Sequence, residues 1–300
     1  MKRILIISGG LSKEREISLQ TGKQVSEELK KKYITKICEP YDLLKFCKSF
    51  KPNIIFNALH GQFGEDGYIQ SIMDTLNIPY THSDYLSSAI AMNKEISKKL
   101  FIKNKIITPK FIIYNFKNNI FDISSIKKIL GFPVVIKPKN EGSSVNIFIC
   151  NEKNFLKKIK LLKSYEEVII EEFIGGREIQ VAIMDKKKLG TIELRPKRSF
   201  YDYKAKYEIN SKTKHIIPVN LSPKKLREVE NIALKTHKLL GCSGITRSDF
   251  KFFDNKFYLL EINTQPGMTK LSLVPEIARY KNIEFLKLLE WMIENAKSKI

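Results

Sequence analysis

"RILIISGG", Arg3 to Gly10, runs four consecutive apolar residues into Ser8 and a glycine pair. A short uninterrupted apolar run of this kind reads as a parallel strand covered on both faces, and the glycines as the turn that follows it. "EISLQTGKQVSEELKKK" then has the spacing of an amphipathic helix. "PNIIFNALHG" (Pro52 to Gly61) repeats the strand-to-loop pattern, and "GYIQSIMDTLNIPYT" supplies a further helix and a short strand. Strand, turn and helix alternating in this way predict an open α/β domain with a parallel sheet over residues 1–85.

A middle unit, residues 86–175, follows from that anchor. "NKEISKKLFIKNKI" reads as a helix, "FPVVIKP" as a strand, and "KNEGSSVN" as a loop. A strand "FIC", a lysine-rich helix over Glu152 to Lys163 and the strand "EVIIEEFI" complete it. The remaining residues, 176–300, open with "REIQVAIMD" and "KLGTIELRP", an expected antiparallel pair. A long polar loop is expected over Lys197 to Ile216. A helix over Pro223 to Leu240, two strands around Asp249 and Glu261, and a closing helix come after it.

The formal net charge is +21, which invites a nucleic-acid reading. The lysines, however, are spread along the chain among Ile and Asn, with no basic tail, so solvated lysine faces are the expectation and nucleic acid is not. Cys38, Cys47, Cys150 and Cys242 show no CxxC or CxxH pairing, which argues against a zinc site and a disulfide framework. No apolar run reaches the ~20 residues of a spanning helix, so the expected setting is cytoplasmic, away from membranes.

The chemistry concentrates late in the chain. "GITRSDFKF" puts Arg247 and Asp249 on alternate positions of one strand, and "YLLEINTQPGMT" (Tyr258 to Thr269) puts Glu261 and Asn263 on alternate positions of the next. Residues i and i+2 of a strand share a face. If the two strands pair, three oxygen donors and a guanidinium converge. Oxygen-only ligands suit a hard cation such as Mg²⁺, which commonly completes its shell with phosphate oxygens. A plain Arg–Asp salt bridge at a solvated strand end is the competing reading.

"KNEGSSVN" (Lys139 to Asn146) has the small residues that let backbone N–H groups approach a phosphate, though it would serve equally as a hairpin loop. Lys137, ending an apolar strand beside it, suits a phosphate contact; strand-end lysines also snorkel. "EEFIGGRE" (Glu171 to Glu178) either offers main-chain groups to an adenine edge and a carboxylate to ribose, or simply joins two units. Glu14 stands near a helix start, where an acid is favourable in any case. His60 lies in a glycine-rich loop, where a structural role competes with a catalytic one.

Taken in order, "GGLSKEREISL", "LHGQFGEDG", "NKEISK", "VVIKPKNEGSSV", "EEFIGGRE", "FYDYKAKY", "GITRSDF" and "LLEINTQPGMTKLSLVP" resemble the D-alanine–D-alanine ligases of the ATP-grasp superfamily. The likeness covers essentially the whole chain. It implies a three-domain α/β ATP-grasp fold with a Rossmann-like N-terminal domain. It also implies a reaction in which one D-alanine is phosphorylated by ATP and the acylphosphate is captured by the amine of a second.

By the same resemblance, Lys94 and Lys137 contact phosphate. Glu171, Phe173 and Ile174 fall in the adenine-binding segment, with Glu178 at the ribose. Asp249, Glu261 and Asn263 ligate two Mg²⁺ (or Mn²⁺) ions. Arg247 and the N–H of Gly267 stabilise the oxyanion, an effect worth several kcal/mol in such sites. Glu14 holds the first D-alanine's ammonium in a set with Ser143 and Tyr207, and His60 lies near its carboxylate. Ser272 and Leu273 contact the second D-alanine. Lys206 and Tyr207 belong to a loop that closes over the phosphates, and a tyrosine there favours the dipeptide over D-alanyl–D-lactate. A homodimer and a role in peptidoglycan precursor synthesis are likewise implied.

Three positions depart from the family pattern. Gln265 replaces a serine common before Pro-Gly, Lys270-Leu271 stands where Ser-His is frequent, and Asn146 occupies a position often glycine. Another carboxylate–amine ligase, an inactive ATP-binding scaffold and a charge-driven nucleic-acid binder are the rival readings. Intact Arg247, Asp249, Glu261 and Asn263 argue against the scaffold. The nucleic-acid reading predicts strongly salt-dependent binding.

Overall fold

The computed structural model describes residues 1–118, 123–142, 146–196 and 213–298. Strand β1 (Arg3–Ile7) lies between β2 (Ile34–Cys38) and β3 (Ile54–Asn57) in a parallel sheet. Its apolar run is covered on both sides, as its composition requires. Ile4 and Ile6 face one core, Leu5 and Ile7 another, and all four are fully buried. Each such side chain contributes roughly 2 kcal/mol of burial.

Helix α1 (Arg15–Leu29) buries Ser18, Thr21, Val25 and Leu29 along one stripe. Gly22 lets it approach the sheet, since a Cβ there would stand 2.5 Å from Ser8. The short strand expected near Tyr80 is a single parallel bridge to Ile55, and Tyr80 also bridges Lys297. The end of the chain thus returns to the N-terminal sheet.

A second, antiparallel sheet runs β4 (Phe111–Asn115), β7 (Glu167–Glu172), β5 (Val134–Pro138), β6 (Phe148–Cys150) in spatial order. Its alternation is clean. Val134, Ile136, Val168 and Ile170 pack on the helices Ile123–Ile129 and Glu152–Lys160. Lys137 pairs in register with Ile169, and Val135 with Glu171, on the opposite face. The lysine-rich helix ends at Lys160, three residues short of the expected Lys163, in turns stepping from Leu161 to Lys163.

The third sheet is antiparallel, ordered β10 (Lys214–Ile216), β9 (Lys187–Arg195), β8 (Arg177–Met184), β11 (Ile245–Phe253), β12 (Lys256–Asn263). The expected β8–β9 hairpin is present. The loop expected over Lys197 to Ile216 ends earlier, because Lys214–Ile216 pairs with Glu193–Arg195. Three residues carry too little alternation to announce a strand; the free edge of β9 organises them. One core joins Ile4, Ile6 and Phe56 to Ala182, Ile192 and Ile245 through the C-terminal helices Leu273–Tyr280 and Phe285–Glu294. Helix Pro223–Leu239 covers the other face of the third sheet. Among the described residues, no helix is long and apolar enough to cross a membrane.

Candidate active site

Between the second and third sheets lies an open cleft of about 660 Å³, whose lining includes Lys137, Glu171, Phe173, Ile174, Glu178, Asp249 and Glu261. Glu171 is its electrostatic centre. Its carboxylate lies 2.9 Å from Lys137 Nζ and 3.1 Å from Lys98 Nζ. Burial alone would raise this carboxyl, but the two ammoniums hold it below the usual carboxylate range. Burial pushes Lys98 down to about 8 against the pull of Glu171. Lys98 also donates to Thr108 Oγ1 at 2.6 Å, and Thr108 donates to Leu259 O at 2.7 Å, tying the cluster to β12.

Sequence reading passed over Lys98. The signal was available: it lies one turn beyond Lys94 in the helix Lys94–Lys103, so both project from one face, and both are buried. On the far wall Glu178 is 3.2 Å from Lys251 Nζ.

The strands β11 and β12 do pair, with Asp249 opposite Glu261 and Arg247 opposite Asn263. A bulge after Asp249 leaves Leu260 unopposed and re-aims the strand beside the site. Arg247 grips Asp249 through two of its guanidinium nitrogens, Nε to Oδ1 at 2.7 Å and Nη2 to Oδ2 at 2.9 Å, and Asn263 Nδ2 lies 3.5 Å from Oδ2. Lys94 donates to Glu141 O at 2.5 Å and stands 3.7 Å from Glu261 Oε2.

Among the described residues no group of three or more His, Cys, Asp or Glu gathers to hold a metal. Asp249, Glu261 and Asn263 present two carboxylates and one amide on paired strand ends. That all-oxygen, incomplete set fits a divalent ion sharing its shell with phosphate oxygens.

A second cavity, about 1030 Å³, adjoins the first at Arg247 and Asn263 and is lined by Glu14, His60, Gln265, Gly267, Ser272 and Leu273 among others. Glu14 caps α1 by position, yet its side chain makes no cap hydrogen bond. It is buried instead beneath Gly61, where φ is +71° and an added Cβ would fall 2.5 Å from Glu14 Oε2. His60 is oriented at both nitrogens, Nε2 3.0 Å from Thr21 Oγ1 and Nδ1 3.1 Å from Glu65 Oε1. Ser272 Oγ accepts from Thr269 N at 3.0 Å, and a Cβ on Gly267 would press it at 3.0 Å. Glu65, Thr21 and His215, which pairs with Glu276 at 2.6 Å, join this region without having been singled out in the sequence. Ser143, Lys206 and Tyr207 lie outside the described residues.

Two antiparallel sheets flanking a cleft lined by Lys137 and by the carboxylates of Asp249 and Glu261 have the arrangement of the ATP-grasp class of fold. Residues 106–294 match the family model for the D-ala D-ala ligase C-terminus. Across 98% of both chains the protein is 64% identical to the D-alanine–D-alanine ligase of Pelagibacter ubique. It is 41% identical to that of Wolbachia pipientis over 98% of this chain and 94% of the other. Two solved structures of the Bacillus anthracis D-alanine–D-alanine ligase superpose over 98% of this chain and 97% of theirs. The one complexed with ATP gives a TM-score of 0.85 at 35% identity, the other 0.87 at 36%. The chain belongs to the D-alanine–D-alanine ligase family.

Proposed function

We propose that this chain joins two D-alanines into D-alanyl-D-alanine at the expense of ATP, supplying a peptidoglycan precursor in the cytoplasm as a homodimer. The observation that carries the reading is the β11–β12 register, which sets Arg247, Asp249, Glu261 and Asn263 at the junction of the two cavities. The 64% identity to a ligase of that name supports the substrate. The three units are taken as residues 1–85, 86–175 and 176–300.

In this reading the nucleotide occupies the first cleft. Phe173 and Ile174 flank the base, Glu178 accepts from the ribose, and Glu171 holds Lys137 in place so that its ammonium and that of Lys94 meet the phosphates. Asp249, Glu261 and Asn263 would hold two Mg²⁺ or Mn²⁺ ions, which when bound neutralise charge on the transferring phosphoryl group. Glu14, with Ser143 and Tyr207, anchors the ammonium of the first D-alanine, and His60 faces its carboxylate. That carboxylate attacks the γ-phosphate and ADP leaves. The amine of the second D-alanine, seated by Ser272 and Leu273, then attacks the acyl carbon. Arg247 and Gly267 N–H stabilise the tetrahedral oxyanion, phosphate departs, and Lys206 with Tyr207 keeps water out.

The test is ATP-dependent phosphate release with D-alanine, against L-alanine and against D-lactate plus D-alanine, with products identified by mass. D-alanine-dependent release with the dipeptide as product supports the reading. Release only with another acceptor moves the specificity, and silence from folded protein rejects catalysis.

A further inference from the structure

Gln265 opens the Pro266-Gly267 turn and is almost wholly buried. Its amide does not serve its own strand. Nε2 donates to Leu59 O, and Oε1 accepts from Asn57 Nδ2 at 2.8 Å, partners more than two hundred positions away in sequence. Asn57 ends β3 and is itself rigidly placed: Nδ2 also donates to Gly64 O at 3.1 Å, and Oδ1 accepts from Leu59 N at 3.1 Å. Leu59 immediately precedes His60. The side chain therefore spans from the turn that carries Gly267 to the loop that carries His60, with both ends of its amide occupied.

We propose that Gln265 is a positioning residue that sets the distance between the oxyanion-binding N–H of Gly267 and the first-substrate loop. The inference rests on the ligase reading above and deepens it. Both arms of the site must address one acyl carbon, His60 from the N-terminal unit and Gly267 from the C-terminal one, and a misplacement of about 1 Å in such an arrangement costs on the order of a hundredfold in rate. A second tie secures the far end of the same segment, Lys270 N donating to Gln24 Oε1 of α1 at 2.8 Å. Of these two ties, Gln265 is the nearer to Gly267 along the chain.

The test compares wild type, Gln265→Met and Gln265→Glu. Methionine keeps the length and loses both bonds; glutamate keeps the acceptor for Asn57 and loses the donor to Leu59 O. Phosphate and dipeptide are measured together, with KM for ATP and the thermal midpoint. With Gly267 misaligned, capture by the amine slows and water hydrolyses the acylphosphate, cleaving its acyl C–O bond to return D-alanine and phosphate. The expected result is phosphate in excess of dipeptide, with kcat for dipeptide down roughly tenfold to a hundredfold and KM for ATP within about twofold of wild type. A merely structural amide would lower phosphate and dipeptide in equal proportion. Equal amounts of the two products in whichever variant is folded overturn the proposal. Wild type that forms no dipeptide defeats the ligase reading itself, a separate outcome.

Discussion

At the scale of single residues, Lys98, the last residue of "NKEISK", shows how far a charge can be committed by tertiary burial without its role being announced by the motif around it. It is fully buried, and with Lys137 it balances Glu171 in the wall of the first cleft. Lys98→Met leaves that carboxylate with one partner, so its pKa rises, and in the proposed reading Lys137 is drawn away from the phosphates. Stability should fall by about 3 kcal/mol, as when one member of a buried pair is removed. KM for ATP should rise, checked by urea titration and steady-state kinetics; unchanged values for both would remove Lys98 from the cleft's electrostatics. Arg247→Ala should lower kcat by a factor of roughly a hundred to a thousand, with a much smaller change in ATP binding measured by calorimetry. Turnover at wild-type level would sink its assigned role.

Among elements, two loops from different units meet at one phenol. Tyr165 Oη accepts from Lys13 Nζ at 3.2 Å and from Asn146 Nδ2 at 2.8 Å, and donates to Glu141 Oε1 at 3.2 Å. Lys13 belongs to the loop that presents Glu14, while Glu141 and Asn146 belong to the loop expected over phosphate. Asn146 takes φ +56°, a left-handed conformation that glycine adopts freely and asparagine tolerates better than most residues. Tyr165→Phe removes the shared hydroxyl and should weaken the coupling of the two loops by about 1 kcal/mol. KM for D-alanine is expected to rise roughly fivefold, since 1.4 kcal/mol is a factor of ten, with the thermal midpoint nearly unchanged. A KM equal to wild type would show that the two loops do not act together.

Over the whole molecule, the shared core that joins the N-terminal sheet to the third sheet holds the two halves of the site in a common frame. Two buried histidines make that frame sensitive to acid. Burial lowers His82 to about 3 and His237 to about 4, while His237 Nδ1 lies 2.8 Å from Thr246 Oγ1. Unfolded, both rings protonate near 6.5. Between pH 6.5 and about 4 the unfolded chain therefore binds more protons, and stability falls as pH falls through that window. The loss should reach roughly 2 kcal/mol per histidine by pH 5. His237→Gln should remove about half of it, read as the difference in unfolding free energy between pH 7.5 and pH 5. Parallel pH dependences in the two proteins would rule the histidine out.

The apolar run of β1, the alternation of Arg247 with Asp249 and of Glu261 with Asn263, and the order of the loops are local facts. The sequence by itself determined the α/β alternation and the shared faces of Arg247 with Asp249 and of Glu261 with Asn263, because side-chain direction in a strand follows from position alone, and the order of its motifs carried the resemblance to the ATP-grasp ligases. What it left open was decided by packing between segments distant in the chain. The short edge strand Ile34–Cys38 is mostly exposed and carries no period of its own, so only the neighbouring β1 defines it. Lys98 shares a helix face with Lys94 by spacing alone, but its partner is defined only when β7 places Glu171 against it. The convergence of Asp249 with Glu261 needed the β-pairing, and Gln265 reads only as a change in the turn until the end of β3 comes within hydrogen-bond reach. Periodicity reports which face a residue occupies, whereas the partner across a cleft is set only when tertiary burial makes an unpaired charge or amide too costly to leave.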